Sequence, residues 1–103
     1  VNGALSLPYT TTGSASSFAL TNAHQTLRRF GACASISLPQ PATCPGRLYT
    51  IINSNGTGSS VALVVQTSGA IYDDVTNAFI GTLAPNNRLS VQSDGTNWIV
   101  VGR

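Results

Sequence analysis

The chain has no lysine, no glutamate and no methionine, and only one histidine and one tryptophan among its 103 residues. Five arginines and three aspartates make up all its formal charge, 8% of the chain, where ordinary soluble domains carry about 25%. Each shortage excludes something. Hydrolysis by a carboxylate pair needs two acids at a defined separation, and only Asp73, Asp74 and Asp94 are available. A net charge of +2 with one basic doublet, Arg28-Arg29, and no interleaved aromatics is not a nucleic-acid footprint. No apolar run approaches the ~18 residues of a membrane-crossing helix, and nothing resembles a signal peptide. Lysine and glutamate favour helices, so their absence argues against helix. With Val1-Asn2-Gly3 at its start and no methionine, the chain is expected to be a processed product or a segment of a longer polypeptide.

In place of charge the chain has hydroxyls and amides: Ser, Thr and Asn supply 12, 12 and 8 residues. Gly, Pro and Asn recur at short intervals, and the stretches between them alternate apolar with polar, the pattern of many short strands. Ala34 to Leu38 places Ala34, Ile36 and Leu38 on one face and Ser35 and Ser37 on the other. Leu48 to Asn53 sets Leu48 and Ile52 against Tyr49 and Ile51. In Arg88 to Gln92, Leu89 and Val91 point inward. Val61, Leu63 and Val65 share a face opposite Ala62 and Val64, so this strand is apolar on both sides, as is Trp98 to Val101. Weaker strands are expected at Ala4 to Leu7, Ser17 to Leu20 and Gln25 to Phe30. Ser93-Asp94-Gly95-Thr96-Asn97 has hairpin-turn chemistry, and Ala84-Pro85-Asn86-Asn87 reads as a turn preset by proline. The expected fold is all-β, a β-sandwich or barrel-like domain of short antiparallel strands. Residues 1–103 form one domain, with 1–16 as an N-terminal arm or a linker to an upstream segment. Val61, Leu63, Val65, Leu89, Val91 and Trp98 are the expected core.

No constellation carries catalysis. Asp73-Asp74 reads as a solvated turn, with Ca²⁺ binding as the sharper alternative, and Asp94 as a turn former. His24 has nothing in the sequence to bring it to a serine or cysteine nucleophile, and no Gly-x-Ser-x-Gly elbow exists. Two cysteines and one histidine do not have the spacing of a zinc finger. Cys33 and Cys44 are a candidate disulfide, worth about 2–3 kcal/mol if the geometry allows. The alternative is two thiols, with Cys33 on the Ser35/Ser37 face. Trp98 and Tyr72 are candidate sugar-stacking platforms, with core packing the expected role of Trp98. Tyr9 and Tyr49 stay unranked beside them. Asn55-Gly56-Thr57 fits a glycosylation acceptor, a match that Gly/Asn/Thr loops also produce by chance. No cofactor, metal, nucleic acid or membrane insertion is expected.

An ordered set of phrases runs through residues 17 to 103: Ile36-Ser37-Leu38-Pro39, a Pro-Gly-Arg turn into Leu48-Tyr49-Thr50-Ile51-Ile52-Asn53, a Gly/Ser/Thr loop, a Val-rich strand, Ile71-Tyr72-Asp73, and finally Leu89-Ser90-Val91-Gln92-Ser93-Asp94-Gly95-Thr96-Asn97-Trp98. In this the chain resembles a module common in phage tail fibres and related virion appendages. The cysteine pair departs from that pattern. The resemblance implies a non-enzymatic, extracellular virion component that forms a homotrimer with other virion proteins nearby, and host-surface glycan or protein recognition on its loops. Strands apolar on both faces suit such a partner. Part of the set Ala62, Val64, Ile99 and Val101 is expected at the subunit interface and the rest in the subunit's own core. The rival readings are a bacterial extracellular adhesin or carbohydrate-binding module, which would be monomeric with an exposed aromatic platform, and a capsid decoration protein.

Overall fold

The computed structural model describes residues 8–12, 16–29, 33–54 and 59–103. Among these residues eleven strands follow in chain order: β1 Tyr9–Thr11, β2 Ser17–Ala19, β3 Thr26–Arg29, β4 Ser35–Leu38, β5 Leu48–Asn53, β6 Val61–Val65, β7 Ile71–Asp73, β8 Ala78–Phe79, β9 Thr82–Leu83, β10 Asn87–Ser93 and β11 Trp98–Gly102. One 3₁₀ turn, Pro41–Thr43, is the single helical element among the described residues. The protein is all-β, as the alternation predicts.

The strands form two sheets. The larger has seven, in the order β1-β3-β5-β10-β11-β7-β8; the smaller has four, in the order β2-β4-β6-β9. Inward side chains of both meet in one core: Leu27, Tyr49, Ile51, Leu89 and Trp98 from the large sheet, Ile36, Leu38, Val61, Leu63 and Leu83 from the small one. Full burial of each such side chain stabilises by about 1.5–3 kcal/mol. Of the expected core only Val65 is partly exposed. Trp98 and Tyr49 lie at the centre with ring centroids 5.2 Å apart. Their polar tips are satisfied, indole Nε1 donating to the Pro39 carbonyl at 2.9 Å and the phenol to that of Thr21 at 2.8 Å.

Pairing departs from the expected antiparallel arrangement. β1, β3 and β5 are mutually parallel, as are β2, β4 and β6, and β7 lies parallel to β11. The cause is the path of the chain. From β1 to β6 each strand crosses to the other sheet and lies beside the one two places earlier; β7 returns to the large sheet but lies between β11 and β8. The passes are unequal: Tyr9 pairs with Thr26 but Thr26 with Thr50, and Ser17 with Ser35 but Ser35 with Ala62. That inequality hides any period in the sequence. Four pairs are antiparallel: β5–β10 and β6–β9, from distant parts of the chain, and β10–β11 and β7–β8, each joined by a tight turn. At β10–β11, Gly95 takes φ +92° and the Asp94 carboxylate accepts from the Thr96 and Asn97 amides at 2.8 and 2.7 Å. At β7–β8, Asn77 takes φ +59° and Asp73 caps the turn.

Two more expectations change. Tyr9–Thr11, assigned to an arm or linker, is the edge strand of the large sheet. The strand expected at Ala4 to Leu7 lies outside the described residues. Cys33 and Cys44 are both free thiols. They flank β4 at opposite ends. Cys33 also precedes the extended run, so its side chain enters the core rather than sharing the Ser35/Ser37 face.

Candidate functional site

The two outer faces differ in chemistry. That of the small sheet carries Ser17, Ser35, Ala62 and Thr82 in one row and Ala19, Ser37 and Val64 in the next. No strand of this sheet contains a charged residue. All five arginines and all three aspartates belong to the large sheet or to the loops beside its strands. Val64 is 48% exposed here, with half-buried Ala62 beside it.

Ile99 and Val101, the other two interface candidates, lie on the outer face of the large sheet, where Val101 is 54% exposed. None of the four completes the subunit's own core, contrary to the expectation for part of the set, because Val61, Leu63 and Trp98 already fill the inward positions of their strands.

On the large sheet one row runs Leu48–Gln92–Ile99–Tyr72–Phe79 across five strands. Its far end is aromatic: the rings of Tyr72 and Phe79 are 5.1 Å apart, and Phe79 is 72% exposed. The Tyr72 hydroxyl donates to Asn77 Oδ1. Of the proposed sugar platforms, Trp98 and Tyr49 are interior, Tyr72 lies in this outer row and Tyr9 is exposed at the opposite edge. Phe79 was not singled out in the sequence. A two-residue strand leaves too little alternation to reveal its face.

A second row on that face runs Arg28–Ile52–Arg88. Beside it, at the end of β5, β10 and β11, is an open depression of about 550 Å³ lined by Ile52, Asn53, Ser54, Asn86, Asn87, Arg88 and Arg103. Arg28 joins its rim by donating to Ser54 Oγ at 3.3 Å.

The floor of the depression is rigid because of a buried arginine. Arg29, only 3% exposed, donates Nε to the Cys33 carbonyl at 2.7 Å and Nη1 to Asn53 Oδ1 and the Ser59 carbonyl at 3.0 and 2.9 Å. Asn53, 1% exposed, donates in turn to the carbonyls of Ser59 and Leu83 at 2.9 and 2.8 Å. Its own carbonyl accepts from the Asn86 amide.

Asp73 is not a solvated turn residue. Its side chain is 4% exposed and Oδ2 accepts from Arg103 at 2.6 Å. That guanidinium, with the Val75 and Thr76 amides, holds the carboxyl below the ordinary carboxylate range against the opposing effect of burial. Asp74 is exposed. The amides of Asn97 and Thr96 likewise lower Asp94. His24 Nδ1 accepts from the Thr21 amide at 2.9 Å, and its ring lies edge-on to Phe18. Among the described residues no three His, Cys, Asp or Glu side chains gather as a metal site. Asn55-Gly56-Thr57 lies outside the described residues.

No family model, no curated protein and no solved structure matches the chain.

Proposed function

We propose that the chain is a non-enzymatic structural domain of a phage tail fibre or similar virion appendage. It is a two-layered β-sandwich that works as a homotrimer at the virion surface, with recognition of the host surface on its outer side. The observation that carries this reading is the partition of charge. One broad face is uncharged, small-chained and marked by the exposed Val64; every charge sits on the other sheet or in the loops beside its strands. An uncharged face of this kind suits burial between identical copies, where an ion would lose its hydration without a partner. Turned to a threefold axis, it leaves the arginine and aromatic rows of the large sheet outside. A small domain with exposed apolar strand surface also gains stability from such packing.

Light scattering at micromolar concentration tests the reading and should give three times the chain mass. Val64→Asp should yield monomer that still folds, because Val64 is half exposed in the single chain. Val101→Asp, on the other sheet, should leave the trimer intact. A wild-type chain that stays monomeric would overturn the assembly.

A carbohydrate-binding module of an extracellular adhesin is the second reading, favoured by the outward Tyr72/Phe79 pair, Phe79 exposed and Tyr72 half-buried. It predicts a monomer that binds neutral sugars and loses them on Phe79→Ala.

A further inference from the structure

We propose that the arginine-rimmed depression at the end of β5, β10 and β11 binds the anionic groups, carboxylate or phosphate, of an acidic surface polysaccharide. This names a ligand class for the host-recognition part of the reading above and does not depend on the oligomeric state.

The argument starts from where the fold puts charge. The arginines are scattered in sequence, but Arg28 and Arg88 pair with the same residue, Ile52, from its two sides. Two strand spacings separate their Cα atoms by roughly 10 Å, well within the combined reach of two arginine side chains. Arg103 closes a third side of the hollow, its side chain 55% exposed. Three of the five cations thus surround one opening. Among the described residues no aspartate lines it. Asp73 binds Arg103 from outside the hollow, its side chain 4% exposed.

The rest of the lining identifies the body of the ligand. Asn86, Asn87 and Ser54 offer amides and a hydroxyl, which pair with sugar hydroxyls as both donors and acceptors, while the Asn53 side-chain amide is spent on Arg29, Ser59 and Leu83. Among the described residues no aromatic side chain lines the hollow to supply the base stacking that usually grips single-stranded nucleic acid. All the cations are arginines, whose planar fork binds carboxylate and phosphate through two parallel hydrogen bonds where lysine offers a point charge. The site is also built rather than incidental. Asn53 is fixed by Arg29 below it, and the Asn86 backbone is tied to Asn53.

The test is a titration of the isotope-labelled chain with four probes: an oligogalacturonate, its fully methyl-esterified neutral form, an oligomer of glycerol phosphate, and single-stranded DNA of equal charge. Backbone amide shifts should move at Asn53, Ser54, Asn87, Arg88 and Arg103 with the oligogalacturonate, the glycerol phosphate oligomer or both, and the probe that binds more tightly names the anionic group. The neutral ester should bind at least tenfold more weakly, and affinity should fall as salt rises. Arg88→Gln should weaken binding about tenfold, Arg88→Lys less, and Arg28→Gln with Arg88→Gln should abolish it at unchanged melting temperature. Equal binding of the ester, equal or tighter binding of DNA, wild-type affinity in the double variant, or no shifts with either anion at millimolar concentration would each overturn the proposal. Light scattering on the same samples keeps the two questions apart: a monomer that binds the anion fails the fibre assembly and supports this site.

Discussion

Arg29 and Arg28 are neighbours in sequence and opposites in structure. Within Thr26–Arg29 the two-residue period puts Leu27 and Arg29 inward and Arg28 out. The same period was visible in the sequence, yet a basic doublet reads as surface, because a buried guanidinium needs acceptors the sequence does not show. Those acceptors come from Cys33, Asn53 and Ser59, the last thirty positions away. Only the closed fold assembles them. Arg29→Met should therefore cost about 3 kcal/mol or more, since it orphans carbonyls that share its donors while keeping most of the volume. Arg29→Lys should recover only part of the loss, lacking the fork. Urea denaturation of both variants measures it, and a near-neutral Arg29→Met would mean that water replaces the guanidinium. Asp73 shows the same limit. Read as half of an exposed acidic pair, it is a buried cap whose partner is the last residue of the chain.

At the scale of elements, faces were legible and partners were not. Alternation gave the inward sets of β6 and β10, with only Val65 partly exposed, and divided β5 into its two faces without saying which is inward; the Asp-Gly signal gave the β10–β11 hairpin. Alternation fixes which side of a strand is buried and says nothing about which strand lies beside it. Parallel pairing between passes of the chain consequently had no local signature. Nor did the two-residue strands β8 and β9. The Asp73–Arg103 contact links β7 to the end of β11 and has a pH consequence. The folded-state value of Asp73 lies below its unfolded value of about 3.9. Its stabilisation is then complete above that pH and is lost as pH falls through the folded value. Asp94 adds an acid-limb loss of the same sign. The urea midpoint should fall as pH drops below about 4. Asp73→Asn should start lower at neutral pH and fall less steeply, and a variant that falls as steeply as wild type would place the acid sensitivity elsewhere.

For the whole molecule, the all-β class was legible from composition and period. The candidate surfaces were only half so. Val64 and Val101 were visible as second apolar faces, but their separation onto opposite sheets depends on the topology. The arginine cluster was invisible, because Arg28, Arg88 and Arg103 are brought together by β3 and β10 flanking β5 and by β11 ending beside β10. One further property follows from the order of strands. β11 lies inside the large sheet with β10 on one side and β7 on the other, whereas among the described residues β1 holds the edge through β3 alone. Pulled from its two ends, the chain is mechanically lopsided. Drawing out β11 must break two ladders together, while β1 detaches through three residue pairs with one neighbour. Single-molecule stretching should show a small early yield as the first pass of chain peels away, then a larger rupture when the carboxyl end gives. Under strain along an appendage, the domain would lengthen at its amino end first and keep its charged hollow, beside β11, until last.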